Sequence, residues 1–280
     1  MVRVSADSTC DLSPELIARH EIAIAPLYII RGEESLRDGV EITAQDIFDY
    51  VDKTGKLCKT SAVSVEDYIA LFKRLTAEGD QVVHITISAD MSACYQNACI
   101  AAEEVPGVFP VDSRNLSTGI GHLVLEAARM AREGLDGAAI QAQLVRLAPR
   151  VESSFVIERL DYLRMGGRCS ALTALGANLL HLKPCIEVRN GVMGVGKKYR
   201  GSFEKALCQY VYDRLHGRDD IVRERAFITC SSCDAQLVAQ VRALCEREGG
   251  FSEIYETRAG GTISNHCGPN TLGVLFLRKA

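Results

Sequence analysis

The first 150 residues switch repeatedly between two patterns of apolar positions. Short apolar blocks, RVSAD at 3–7, EIAIAPLYII at 21–30, QVVHITIS at 81–88 and VFPVDS at 108–113, read as strands. Between them lie stretches with helical spacing. Ser13 and Pro14 form an N-cap and first-turn pair, and Thr43 and Asp46 have capping-box spacing ahead of IFDYV. Ser64 and Asp67 repeat that spacing ahead of a helix with Tyr68, Leu71, Phe72 and Leu75 on one face. SACYQNACIAAEE and GIGHLVLEAARMAREG read as two further helices. This alternation predicts a mainly parallel sheet flanked by helices.

The pattern changes after APRVESS, near residue 150. Asn190-Gly191 sits between two strand-like runs in PCIEVRNGVMGVGKKYR, a strong hairpin signal and hence antiparallel pairing. SFEKALCQYVYDRL and CDAQLVAQVRALCEREG read as helices, and AFIT, FSEIYET and LGVLFLRK as strands. The expected class is α/β with two α/β domains. Residues 1–150 form the parallel one, and residues 151–280 one with a mixed or antiparallel sheet and helices. A cleft between two such domains is a common place for a small ligand. The stretch GGTISNHCGPNT, ahead of the last strand, reads as a polar loop holding His266.

Composition narrows the function classes. The chain has 280 residues, of which 47% are hydrophobic, and a net charge of -4 with both signs interspersed. That argues against a general nucleic-acid binder. The opening MVRVSADSTCDLS has one Arg and no apolar h-region, and runs such as IAIAPLYII are too short to span a bilayer. The expected location is cytoplasmic. Eleven cysteines without an export signal read mainly as small buried hydrophobes. Cys230 and Cys233 form a lone CxxC, half a zinc site with no second ligand pair of matching spacing, so no metal is expected.

Three hydroxyl-bearing loops lie where ligands of a parallel sheet gather, at the carboxyl ends of strands. They are ADSTCDL, KTSAVS with Thr60 and Ser61, and ISADMSACYQ with Ser92 at a helix start. An ordinary N-cap is the commoner reading of a Ser in the place of Ser92. Spacing alone does not bring these loops together.

Their order along the chain resembles the DegV family over nearly its whole length. VSADSTCDL resembles the family's D-S-x-x-D-L opening, CKTSAVSVEDY its K-T-S-x-P-S segment, and ITISADMSACYQNA its S-S-x-L-S-G-T-Y-Q-S-A segment. VDSRNLSTGIG, LDYLRMGGRCS, LKPCIEVRNG and the segment around His266 resemble the later motifs. The resemblance implies a bacterial protein that binds a fatty acid and acts as the acyl-carrying subunit of a fatty acid kinase. It implies no other cofactor. Carried over by position, Thr60, Ser61, Ser92, Arg168 and His266 would hold the lipid carboxylate. The chemistry suits those residue types. A semi-buried carboxylate needs several donors, hydroxyls orient it, and a nearby Arg favours its charged form. His266 could instead bond only its own glycine-rich turn.

The tail would lie in an apolar tunnel offered by Leu172, Leu175, Leu179, Leu180 and Ile186. The chain departs from the family pattern at Ala62-Val63-Ser64, Ala93-Cys94, Cys267 and Asn270. No phosphate-binding G-x-x-x-x-G-K-[ST] loop is present, so a separate ATP-dependent kinase subunit would do the chemistry and this chain would not be an enzyme alone. An acyl hydrolase using Ser92 and His266 is a rival reading, although no G-x-S-x-G elbow exists. A non-catalytic lipid sensor is another. Lys197, Lys198 and Arg200 in GKKYR form a candidate surface for an acidic kinase subunit or, transiently, an anionic membrane.

Overall fold

The computed structural model describes residues 1–168 and 182–280. In chain order the first part contains β1 (Val2–Asp7), α1 (Pro14–Arg19), β2 (Ala23–Ala25), β3 (Tyr28–Arg31), β4 (Glu34–Arg37), α2 (Ala44–Thr54) and β5 (Lys59–Ser61). It continues through α3 (Val65–Thr76), β6 (Gln81–Thr86), α4 (Cys94–Glu104), β7 (Val108–Asp112), α5 (Thr118–Arg132) and α6 (Gly137–Leu147). Strands β2-β1-β6-β7 form a parallel sheet flanked by helices. α3 and α4 pack on each other against β6, and α5 and α6 on each other against β6 and its neighbours. The local start signals act as read. Ser13 caps α1, Thr43 and Asp46 close a full capping box on α2, and Ser64 caps α3.

The apolar block EIAIAPLYII is two strands, not one. Pro26 cannot donate to a ladder, so the chain leaves the parallel sheet after β2. It then enters a small antiparallel sheet of order β4-β3-β5. That sheet packs with α2 around Ile29, Ile42, Ile47 and Phe48.

The remainder holds β8 (Val151–Ile157), α7 (Leu160–Gly166), β9 (Leu182–Arg189), β10 (Val192–Arg200), α8 (Phe203–Leu215) and β11 (Ile221–Ser231). It ends with α9 (Ala235–Leu244), β12 (Glu253–Arg258), α10 (Gly261–Cys267) and β13 (Thr271–Arg278). Its sheet runs β10-β9-β8-β13-β11-β12, antiparallel except for β11 and β12. Asn190 and Gly191 both take positive φ, 52° and 87°, as a two-residue primed turn requires.

β8 has no clear strand signature because it carries Ser153 and Ser154 in its middle. Both are buried, and tertiary partners satisfy them: Ser153 donates to Asn115 Oδ1 (2.8 Å), and Ser154 pairs with Tyr210 Oη (2.9 Å). GGTISNHCGPNT also differs from the loop expected, since Gly261–Cys267 is a helix. α5 is buried along almost its whole length. It packs on β1 and β6 on one side and on β8 and β13 on the other, so one continuous core joins the two larger sheets. Among the described residues no helix is long and apolar enough to cross a membrane.

Candidate ligand-binding site

α10 has no local N-cap side chain and begins at Gly260-Gly261. Two remote carboxylates take its first N–H groups instead. Gly260 N–H donates to Asp11 Oδ1 (2.8 Å), and Gly261 and Thr262 N–H donate to Asp38 Oδ1 and Oδ2 (2.8 and 3.0 Å). The Asp38 carboxylate at this helix N-terminus also meets the favourable end of its dipole. The close approach requires glycine at 261, where a Cβ would lie 2.6 Å from Asp38 Oδ1. Burial pushes the Asp11 carboxyl up to about 8, against hydrogen bonds from Ser117 and Gly260 that favour its charged form.

α10 thereby delivers His266 to β5. His266 Nε2 lies 2.9 Å from Thr60 Oγ1, across 206 residues of sequence. Among the described residues the other ring nitrogen, Nδ1, is buried without a partner, against Gly166, where a Cβ would come within 2.4 Å of it. Gly166 is therefore small because the imidazole rests on it. Gly167 has a different reason, since it ends α7 in the left-handed region at φ 67°. Burial, with Arg168 close by, pushes His266 down to about 4, so the ring is neutral near pH 7. Placing its one proton on Nε2 leaves a lone pair, rather than an orphaned N–H, at Nδ1, and buried orphan acceptors are better tolerated than donors. Thr60 Oγ1 then accepts from His266, and its own O–H is free to donate elsewhere.

Thr60 and His266 border a cavity of about 500 Å³ that is also lined by Ser61, Ser92 and Arg168. All five residues named from sequence therefore meet at one void. Its remaining lining includes Leu27, Ile87, Met91, Leu116, Met193 and Ile263. Arg168 follows α7 directly and is exposed at the rim, with Nη1 donating to Gly166 O (2.9 Å). Ser92 is not the formal N-cap of α4. Ala93 holds that place, while Ser92 Oγ accepts Cys94 N–H (3.3 Å) and donates to Cys94 Sγ (3.2 Å).

Beneath Ser92 lies a buried polar line that motif reading did not resolve. Asp7, the first acid of the DSTCDL loop, accepts from Tyr68 Oη (2.6 Å) and from Ile87 N–H (3.0 Å). It also meets His84 Nε2 (3.2 Å), whose Nδ1 meets Ser5 Oγ (2.8 Å). Ser5, His84 and Asp7 are fully buried, so this Ser-His-Asp line fixes the end of β6 and is closed to substrate. Asp11 signalled itself only through its motif, and Asp38, in a turn after β4, gave no signal.

The DegV family model matches residues 1–279. The chain belongs to the DegV family. A DegV domain-containing protein of Clostridium perfringens is 34% identical over 282 residues, covering 99% of each chain. A solved DegV family protein from Thermus thermophilus, described for its fatty acid binding, is 31% identical with a TM-score of 0.88, covering 99% of both chains. A stearic-acid-binding protein from Eubacterium ventriosum is 26% identical with a TM-score of 0.84, covering 100% of this chain and 99% of its own.

Several expectations can now be placed on this DegV chain. Ala93 has φ -75°, so the alanine in place of the family's glycine carries no backbone strain. Asn270 does take a left-handed φ of 52°, and its amide donates to Glu158 (2.7 Å). Leu172, Leu175, Leu179 and Leu180 lie outside the described residues. Ile186 is fully buried in the core and does not border the cavity. The Ser92–His266 dyad of the hydrolase reading is not formed, because Ser92 engages Cys94 and His266 engages Thr60. Lys197 is tied to Asp213 (2.5 Å), while Lys198 and Arg200 are exposed on β10 at the sheet edge. Among the described residues no group of three or more His, Cys, Asp or Glu could hold a metal.

Proposed function

We propose that this DegV protein binds a long-chain fatty acid in the cavity and presents its carboxylate to a separate ATP-dependent kinase subunit, which converts it to an acyl phosphate. The observation that carries the binding step is the neutral His266 behind Thr60, beside two further hydroxyls and one guanidinium, on a void otherwise rich in apolar side chains. Thr60, Ser61 and Ser92 would donate to the carboxylate, with His266 polarising Thr60 and Arg168 at the rim supplying the counter-charge. These donors offset the desolvation of the carboxylate.

The tail would run between residues 1–150 and 151–280, past Leu116, Ile263 and Cys267. Those three also bound a small apolar void against Phe155 and Leu275. Removing an alkyl chain from water contributes about 0.8 kcal/mol per CH₂. The described fatty-acid-binding relatives support the ligand, and the family resemblance supports the kinase. The exposed Lys198 and Arg200 would meet an acidic kinase face or an anionic membrane during lipid exchange. Mass spectrometry of the protein purified from a bacterial host tests the reading. A co-purifying fatty acid is expected, and a nucleotide or sugar in its place would sink it.

A further inference from the structure

The Cys230–Cys233 pair does not border the cavity; Cys230 is buried in the apolar cluster between α8, α9 and the second sheet, and Cys233 packs against that cluster. Cys230 closes the inner part of β11, between Leu272 of β13 and Arg258 of β12. Ser232 then takes a left-handed φ of 54°, which folds the chain back before Asp234 caps α9. The reversal sets the Cys233 thiol on the Thr271 carbonyl, next to Leu272, the β13 partner of Cys230. Both are free thiols, Cys230 buried and Cys233 partly exposed.

Their chemistry differs from that of the other thiols around them. Burial pushes Cys10, Cys94, Cys185 and Cys245 up to about 12, where they are inert. Cys230 is shifted the other way, first by the Cys233 thiol and then by its N–H and by Arg258, and these outweigh burial. Cys233 is raised, first by its closeness to Cys230 and then by burial.

The turn also grips both ends of α10. Cys230 C=O accepts Ala259 N–H (2.9 Å), and Ser231 Oγ donates to Ser264 Oγ (3.0 Å). Cys233 Sγ donates to Thr271 C=O (3.3 Å), and Thr271 Oγ1 donates to Cys267 C=O (3.0 Å).

We infer that Cys230 and Cys233 are a redox-active dithiol whose closure to a disulfide is transmitted through α10 to His266. The oxidant is a small hydroperoxide. Cys230 thiolate attacks its terminal oxygen, forming a sulfenic acid and releasing water or an alcohol once a proton is taken up. Cys233 sulfur then displaces the sulfenic oxygen as a second water. Two thiols lose two electrons and two protons, and the peroxide O–O bond accepts them. A dithiol reductant reverses the reaction by thiol–disulfide exchange. Closure removes the Cys233 S–H from the Thr271 carbonyl, so the C-terminal support of α10 changes with redox state.

Treating the full chain with hydrogen peroxide, trapping with an alkylating agent and mapping peptides by mass should show the Cys230–Cys233 peptide two hydrogens lighter and unalkylated. Dithiothreitol should restore it. Stable sulfenic or sulfinic acid at Cys230, or alkylation of both thiols after peroxide, would overturn the dithiol. A fluorescent long-chain fatty acid should then bind the oxidised and reduced forms with affinities at least about five-fold apart. Cys233→Ser should bind alike before and after peroxide. Equal affinities for the two wild-type forms would overturn the link to α10. The affinity arm rests on the fatty-acid reading, but the disulfide arm does not. A reduced protein that binds no fatty acid therefore counts against the proposed function alone.

Discussion

At the scale of single residues the site depends on how closely groups approach. Gly166→Ala would set a methyl 2.4 Å from His266 Nδ1, so the ring or α7 must move. Such overpacking costs about 1–3 kcal/mol, and chemical denaturation together with fatty-acid titration should show losses in both stability and affinity. Parent-like affinity in a folded Gly166→Ala protein would remove His266 from the account of binding. Ser92→Ala deletes one neutral donor and should weaken binding by about 0.5–1.5 kcal/mol, whereas Arg168→Ala should cost about 1.5–3 kcal/mol. A displacement assay reads both, and the reverse ranking would contradict the rim counter-charge. The motif order named Thr60, Ser61, Ser92, Arg168 and His266. It did not show that His266 stands behind Thr60, because that depends on which neighbour fills each hydrogen bond.

At the scale of elements, α10 shows most clearly what local reading misses. Seven residues beginning with glycine and holding Thr, Ile, Ser and Asn have little helix propensity. Nothing in GGTISNHC signals a cap, because the caps are Asp11 and Asp38, more than 200 residues away. Asp38→Ala should leave two buried N–H groups without acceptors, at about 1–3 kcal/mol each. Urea denaturation measures the loss, and a cost below about 0.5 kcal/mol would mean that α10 is held by packing instead. Helices with their own caps, such as α2 and α3, were legible for the opposite reason, since their signals lie within three residues. β2 and β3 show a third case, in which one proline splits an apolar block between two sheets.

At the scale of the whole molecule, buried ionisable groups set the pH range. Burial lowers His122 to about 3 and His266 to about 4 in the folded state. Their stability contributions are full above the unfolded value near 6.5 and are lost as pH falls towards 4 and 3. Asp11 is raised from 3.8 to about 8, so its contribution is full below 3.8 and is lost as pH rises to 8. Two histidines outweigh one aspartate below pH 6.5, so denaturation midpoints should rise up to about that pH. Above it Asp11 lowers stability as pH rises, while Cys230, lowered from 9.0 to about 6, raises it, so the two nearly cancel towards pH 8. Asp11→Asn should turn that plateau into a rise, and a profile unchanged in that variant would contradict a protonated Asp11. On the surface, charge reversal at Lys198 and Arg200 should weaken association with anionic vesicles or the kinase while fatty-acid affinity persists. Unchanged association with both would leave β10 as a solvated edge.

By itself the sequence determined the features whose causes are local. These are the apolar blocks that become strands, the capping pairs of α1, α2 and α3, and the Asn190-Gly191 reversal. They follow from backbone preferences and from contacts a few residues apart. Tertiary structure alone decided the rest. It buried α5 between two sheets and satisfied Ser153 and Ser154 in β8. It also capped α10 with Asp11 and Asp38, and set His266 between Gly166 and Thr60. In each case a polar group or a close contact is paid for by a partner distant in sequence, and only the packed chain selects that partner.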